Sequence, residues 1–408
     1  MLRQALPLDV LIFGGGAAGL WLLDELVRGG HSAVLLETGA LGAGQTIASQ
    51  GIIHGGFKYT LSGAMNDSAC AINDLPQLWR RCLAGDAKPD LSHTSLRSEC
   101  CHLWSNGRLL SKLAMLAASW VLKVKPMPLP RQDWPAALKN MRGSVSRMDE
   151  QIIVPRAFIA DLAQQHHHRL LHIGSPRRYD IVRDAKGNVP QVVIHDDTRG
   201  DSIAFAPKHI VLTAGKGNAA LRAACGLGTN AMQVRPVHMI MARGPLPLFN
   251  GHCIDANKAR VTITSDTDTQ GRCLWQVGGQ ISEDGVSMSQ SDLIDNAQRE
   301  LRDVLPAVDF TGVEWATFRA DKAEGTTAGG ARPSDAVILH EGNIITCWPT
   351  KLVLAPVAAS RILHKLPAPS ASPIDPARLR DWPKPEVAMP PWEIETNWTT
   401  TSGVLRVA

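Results

Sequence analysis

A short unbroken apolar run, Val10-Leu11-Ile12-Phe13, stops abruptly at Gly14-Gly15-Gly16-Ala17-Ala18-Gly19. Such a run predicts a strand covered on both faces, as in a parallel sheet. Leu20 to Val27 follows with helical spacing and ends at Gly29-Gly30, where a helix C-cap is expected. A second apolar run, Ala33-Val34-Leu35-Leu36, closes on Glu37, so the pattern predicts a complete βαβ unit.

Beyond it the pattern changes several times. Ala69, Ile72, Leu75, Leu78 and Trp79 recur at helical spacing within 64–83. Between Gly85 and Met148 the apolar runs are interrupted and proline-containing, with a strand expected at Cys101 to Trp104. The most apolar helix, Leu109 to Val124, is shorter than the roughly 20 residues that span a bilayer, and Lys112 and Lys123 interrupt it. It reads as a core or interface helix, with a helix resting on a membrane surface as the alternative. A helix is expected over 155–170, with His166-His167-His168 near its end. Three consecutive histidines cannot face one metal from a helix, so a solvated end is expected.

Arg177 to Arg183 and Val189 to His195 flank a turn-forming loop, with another short strand at Ser202 to Ala206. A buried strand, His209 to Leu212, ends in Thr213-Ala214-Gly215. Strands are expected from Arg235 to Met241, Arg260 to Thr264 and Cys273 to Gly279. Leu293, Ala297, Leu301 and Leu305 mark a helix that stops at Pro306. A strand at Asn343 to Cys347 leads through Trp348-Pro349-Thr350-Lys351 into a helix from Leu352 to about Leu366. The proline-rich tail carries Trp382, Trp392 and Trp398, expected to pack on the body or on a second subunit.

At 408 residues the chain is long for one core, so two domains are expected. A net charge of +4, with no basic run interleaved with aromatics, gives no case for nucleic acid. The eight cysteines form no CxxC pair, and no histidine spacing completes a metal site. Met1 to Leu8 has no apolar signal-peptide core. Reduced thiols in a cytoplasmic protein are therefore expected, including the adjacent Cys100-Cys101 rather than a strained vicinal disulfide.

The glycine turn carries the chemistry. Gly14 permits the turn off the strand, Gly16 lets a pyrophosphate approach the backbone, and Gly19 lets the helix sit close to the sheet. The helix N-terminus then faces the phosphates. Glu37, 18 residues after Gly19, is placed to accept hydrogen bonds from an adenosine ribose.

The stretch from Leu41 to Tyr59 is small, polar and glycine-rich where a nicotinamide-only domain usually enters another helix. With Gly51-Ile52-Ile53-His54-Gly55-Gly56-Phe57-Lys58-Tyr59, the chain resembles the FAD-dependent oxidoreductases of the D-amino-acid oxidase superfamily. It is nearest in look to the L-2-hydroxyglutarate oxidase and glycerol-3-phosphate dehydrogenase branches, although Leu61-Ser62-Gly63 stands where the former has Pro-Gly-Ser. Thr213-Ala214-Gly215 resembles a second flavin motif. Gly329-Gly330-Ala331-Arg332-Pro333-Ser334-Asp335 resembles the superfamily's Gly-x-Arg-Pro-x-x-Asp stretch. The loop at Trp348-Pro349 is less glycine-rich than the usual version.

The resemblance implies an α/β protein, with a Rossmann-like FAD-binding domain and a discontinuous second domain on a mostly antiparallel sheet. The FAD-binding parts are expected at 1–84, 149–232 and 325–366, the substrate domain at 85–148 and 233–324, and an arm at 367–408. Cofactor contacts fall on Gly14, Gly16, Ala17, Ala18, Gly19, Glu37 and Thr38, then on Gln45, Thr46, Ser49, Gln50, Gly51 and His54. Further contacts fall on Thr213, Ala214, Gly215, Arg332, Thr350, Lys351 and Leu352.

Flavin oxidation of a small acid-bearing substrate requires a hydrogen held over N5, an acceptor for the heteroatom proton and a cation for the acid group. Arg332 is the first choice as anion ligand and Arg235 the second, because guanidinium grips a carboxylate through two parallel bonds. His54 is the candidate base or orienting group, with His238 behind it. Structural ion pairs, and a histidine that only bonds the cofactor, are the alternatives; a histidine joined covalently to flavin, as in some sarcosine- and dimethylglycine-oxidising relatives, is another. The expected reaction is oxidation of a CH–OH carbon in a 2-hydroxy acid or glycerol-phosphate type of substrate. An amino-acid or secondary-amine oxidase and an FAD-binding subunit are the competing readings. The electron acceptor, whether oxygen, quinone or a protein, and the oligomeric state are not written in these residues; peripheral contact with the inner face of the membrane accompanies the quinone alternative.

Overall fold

The computed structural model describes residues 5–55, 75–105, 126–255 and 258–400. Its first layer forms on β1 (Leu6–Phe13), a strand in which every residue but Pro7 is buried. β2 (Ala33–Glu37) pairs with it in parallel on one side and β11 (Asp201–Leu212) on the other, Phe13 facing Leu36 and Leu212. The three carboxyl ends are therefore level, which opens the crevice where open α/β sheets bind ligands. The sheet continues outward through β8 (Leu170–His172) beside β2, and through β18 (Ile344–Trp348) and β17 (Val337–Glu341) beyond β11. An antiparallel pair, β9 (Arg177–Val182) and β10 (Gln191–Asp196), attaches to β11.

The separate strands expected at Ser202 to Ala206 and His209 to Leu212 are one twelve-residue strand. Its first half pairs antiparallel with β10, and its second half pairs parallel with β1 and β18, so pairing continues across Pro207. Helices α1 (Ala17–Arg28), α2 (Leu75–Leu83), α3 (Pro155–Gln165), α4 (Asn218–Ala224), α5 (Gln290–Val304) and α6 (Ala355–Leu363) complete the framework. Trp21, Trp79 and Phe158 meet with ring centroids 4.8, 5.3 and 6.2 Å apart, which locks α1, α2 and α3 together. α3 ends five residues sooner than the pattern suggests. His166 leaves the helix and turns inward to Asp24 Oδ1 at 3.0 Å, so the histidine run is not a uniformly solvated end.

The second layer is a nine-stranded sheet in the order β19-β16-β12-β15-β14-β13-β4-β6-β5. It draws β4 (Cys101–Ser105), β5 (Met127–Pro128) and β6 (Ser144–Met148) together with β12 (Met232–Gly244), β13 (Gly251–Asp255), β14 (Lys258–Thr267), β15 (Cys273–Gly278) and β16 (Glu314–Gly325). All its pairings are antiparallel except β13 with β4. The helical spacing at Leu293, Ala297, Leu301 and Leu305 places all four against this sheet, and Ser289 Oγ caps α5 by accepting from Asp292 N–H. A small separate pair, β3 (Leu96–Ser98) with β7 (Ile152–Ile153), lies between the layers in sequence.

The tail packs on the body of its own chain. Trp382 donates to His172 O at 2.9 Å, Trp392 is buried, and β19 (Thr399–Thr400) joins the edge of β16. Cys100 and Cys101 are reduced and not joined to each other. The apolar segment Leu109 to Val124, the Leu61-Ser62-Gly63 turn and the start of the helix expected from Ala64 lie outside the described residues. Among the described residues, no helix is long and apolar enough to cross a membrane.

Candidate active site

The glycine turn is specified by close approach. Gly14 has φ +104°, and a Cβ there would lie 2.5 Å from Ala214 Cα. A Cβ on Gly19 would lie 2.0 Å from Gly14 O. The end of β11 thus presses on the turn from below, and Thr213 Oγ1 bonds Phe13 O and Gly14 O at 3.0 and 2.9 Å. At Gly16 a Cβ would meet only Thr46 Oγ1 at 3.3 Å, so that side of the turn is open. The N-cap residue Gly16 has no side chain to cap α1, and the Ala17 N–H at its first turn donates to Thr46 Oγ1 at 3.3 Å. Glu37 sits beside the turn, accepting from Gly15 N–H at 2.6 Å and Gly39 N–H at 2.8 Å. Ser49 Oγ is buried without a hydrogen-bond partner among the described residues. A helix N-terminus beside an open glycine, with an acid at the end of β2, fits an adenine dinucleotide.

From Thr38 the chain runs beneath the nine-stranded sheet and is tied to it stepwise. Gln45 Oε1 accepts from Ala323 N–H at 3.1 Å, and Gln50 donates to Thr262 O and Gln276 O at 3.1 and 2.9 Å. Gln276 answers by donating to Ala48 O at 3.0 Å. Gly51 has φ +71° and a Cβ there would lie 2.1 Å from Ile153 O, so this crossing also requires glycine.

The crossing delivers His54 to a buried carboxylate. Its Nδ1 lies 3.4 Å from Glu150 Oε2, while Gly55 N–H donates to Glu150 Oε1 at 2.7 Å. On the facing sheet, His252 Nε2 lies 3.8 Å from the same Oε2, and the two imidazole centroids are 5.7 Å apart. Burial alone would raise the Glu150 carboxyl; the opposing charges of His54 and His252 and the His54 hydrogen bond outweigh it and hold the group well below the usual carboxylate range.

The two candidate arginines share another buried acid. Arg235 Nη2 is 2.6 Å from Glu324 Oε1, a carboxylate with 0% exposure, and its Nη1 is 3.5 Å from Glu283. Arg332 lies farther from both, Nη2 at 3.6 Å from Glu283 and Nε at 3.9 Å from Glu324, and its side chain is 39% exposed. Arg235 is therefore committed to a structural ion pair, while Arg332 remains the more accessible cation. His238 uses both ring nitrogens internally, on Gly285 O at 3.1 Å and Thr317 Oγ1 at 2.9 Å, which suits packing rather than proton transfer.

The carboxyl-end loops close the crevice. Ala214 N–H donates to Asn218 Oδ1 at 2.8 Å and Asn218 Nδ2 to Cys347 O at 3.1 Å, fixing the Thr213-Ala214-Gly215 turn to β18. Trp348 is the last residue of β18 and wholly buried, not part of the loop as the pattern suggests. The loop is Pro349-Thr350-Lys351, with Thr350 at φ +63°, the one non-glycine residue of positive φ among the described residues. Lys351 donates to Ser334 O at 3.1 Å; burial, reinforced by Arg332, lowers its ammonium to about 7. Leu352 opens a short 3-10 turn, Leu352–Leu354, and α6 then ends at Leu363, shorter than expected.

A family model described as FAD dependent oxidoreductase, DAO, matches residues 9–347, most of the chain. The chain belongs to the DAO family. It is 38% identical over 397 residues to the probable FAD-dependent oxidoreductase PA4991 of Pseudomonas aeruginosa, covering 96% of this chain and 99% of the relative. The crystal structure of that relative matches with a TM-score of 0.80 at 33% identity, over 96% of this chain and 99% of the other. Glycine oxidase from Geobacillus kaustophilus matches with a TM-score of 0.63 at 14% identity, over 92% and 98%. An FAD-bound L-alpha-glycerophosphate oxidase from Mycoplasma pneumoniae gives 0.59 at 15%, over 88% and 94%. These last two likenesses carry the fold alone.

FAD is thus the cofactor, and the chain is an FAD-dependent oxidoreductase, as the glycine turn and the Arg-Pro stretch imply. Glu150, His252, Glu283 and Glu324 went unnoticed in the sequence. Each stands outside any motif: Glu150 lies 96 residues from His54 and 102 from His252, and Glu324 lies 89 from Arg235, so the partners meet only on folding. Glu324 is one of five charged residues in β16, so nothing in its own strand singles it out.

Proposed function

We propose that this DAO-family chain oxidises a small acid-bearing substrate at a CH–OH carbon, of the 2-hydroxy-acid or glycerol-phosphate type. The observation that carries this reading is His54 backed by the buried carboxylate of Glu150 at 3.4 Å. An alcohol keeps its proton until a base takes it, so its oxidation calls for such a group, whereas a neutral amine does not. When bound, the flavin supplies the hydride acceptor. His54 takes the hydroxyl proton, and Arg332 orients the substrate through its acid group.

One observation favours an amine substrate instead. Glu283 stands 3.6 Å from Arg332, so a cation and an anion lie side by side, the pair a zwitterionic amino acid would match. Anaerobic mixing of the flavin-loaded protein with hydroxy acids, glycerol phosphate and amino acids decides between them. Bleaching of the flavin by a hydroxy acid or glycerol phosphate supports the proposal, and bleaching by amino acids alone sinks it. Flavin that stays oxidised with every member of the panel favours a binding subunit. Reoxidation by air or by a soluble quinone then identifies the electron acceptor.

A further inference from the structure

Glu150 is more elaborately furnished than cofactor binding requires. A carboxylate with a side chain 2% exposed is costly unless its charge is matched and its lone pairs are used. Its oxygens divide the work: Oε1 accepts the Gly55 N–H at 2.7 Å, and Oε2 faces His54 Nδ1 at 3.4 Å and His252 Nε2 at 3.8 Å. The three residues arrive from the crossing beneath the roof, the link between β6 and β7, and β13. Their donor atoms all lie within 4.8 Å of one another. His252 is aimed from behind, its Nδ1 2.9 Å from Thr262 Oγ1. Among the described residues, these two imidazoles are the titratable groups that act most strongly on Glu150.

An ionised carboxylate only accepts hydrogen bonds, so an imidazole nitrogen facing it must carry the proton. We propose that Glu150 and His252 are positioning residues: they hold His54 with its proton on Nδ1, so that Nε2 is the basic atom turned toward the substrate. By the same argument the His252 proton sits on Nε2, directed at that carboxylate oxygen, and its Nδ1 then accepts from the Thr262 hydroxyl. When the substrate O–H bond breaks, the proton forms a bond to His54 Nε2. The carboxylate stays ionised and balances the imidazolium, and no proton passes to Glu150. His252 competes for that carboxylate and so limits how basic His54 becomes.

The base role rests on the function proposed above; the tautomer and charge of His54 do not, and they are read without turnover. Protein labelled with nitrogen-15 in histidine, free of flavin and again loaded with it, is titrated by long-range proton–nitrogen NMR, with His54→Asn used to assign the signal. The expected wild-type result is an Nδ1–H imidazole. In Glu150→Gln its midpoint moves about one pH unit or more toward acid, the scale of an opposite charge lost at this range, and Glu150→Asp restores part of the shift. The acid limb of anaerobic flavin reduction moves in the same direction. A folded Glu150→Gln protein whose His54 midpoint is unchanged overturns the proposal. So does one equivalent of zinc bound by metal-stripped wild type and lost in both Glu150→Gln and His252→Gln, because the cluster would then be a metal site. Should Glu150→Gln fail to fold, His252→Gln carries the test: His54 no longer shares the carboxylate and its midpoint rises, and an unmoved midpoint is again fatal. If no substrate reduces wild-type flavin while the NMR shifts appear, the proposed function fails and the positioning stands.

Discussion

Arg235 and Arg332 look interchangeable in sequence, yet the structure separates their roles sharply enough to measure. Arg235 is 2.6 Å from a carboxylate with no exposure, Glu324, so Arg235→Met leaves that charge buried with Arg332 at 3.9 Å as its nearest remaining partner. Removing one member of a buried pair costs 3–5 kcal/mol, and the remaining cation recovers part of it, so a loss of about 3 kcal/mol is expected. Arg332 is 39% exposed and beyond 3.5 Å from both carboxylates, in the range where ion pairs are worth about 0–1 kcal/mol. Arg332→Met should therefore fold almost as stably as wild type. Its effect appears in substrate binding: losing a charge-assisted bond worth about 1.5–3 kcal/mol raises the substrate concentration for half-maximal anaerobic reduction roughly 10- to 150-fold. Urea unfolding at saturating flavin, followed by far-ultraviolet circular dichroism and by flavin fluorescence, gives the stability half. Equal destabilisation by the two substitutions, or an Arg235→Met protein within about 0.5 kcal/mol of wild type, would refute the assignment, since either requires Glu324 to be indifferent to its partner.

Three other outcomes are expected. Glu37→Ala removes the acid at the end of β2 that also accepts from Gly15 N–H at 2.6 Å, and FAD titration of flavin-free protein should show affinity weakened about 10-fold or more; binding within threefold would be evidence against the ribose contact. Glu25, raised to about 7 by burial ahead of its bond from Trp21, favours its protonated form in the folded state, so stability falls as pH rises from the unfolded carboxyl range through about 7. Glu25→Gln is thus expected to be neutral near pH 5 and stabilising by about 1–2 kcal/mol at pH 8, read from urea midpoints. Lys351, lowered to about 7 chiefly by burial, is largely uncharged at pH 8 and should react with an amine-directed acylating reagent ahead of ordinary lysines, with flavin protecting it; mass mapping that finds it among the slowest sites would count against its place at the crevice.

What the amino-acid order determined alone is what neighbours in the chain decide among themselves. The Val10 to Phe13 run, the glycines that follow and Glu37 specify a dinucleotide turn because strand, turn, helix cap and acid all fall within about 30 residues and each acts through its own backbone. Apolar spacing likewise marked α5 and most strands, since a buried face imposes its period locally. The boundaries that moved did so where a distant partner intervened: Asp24 draws His166 out of α3, and flanking strands carry β11 through Pro207. Only the tertiary structure decided which charges meet. Glu150 gathers His54 and His252, and Glu324 holds Arg235 while leaving Arg332 more open, because two sheets bring together residues that share no spacing. A charge's role depends on its burial and on the charge opposite, and neither is a property of its position in the chain.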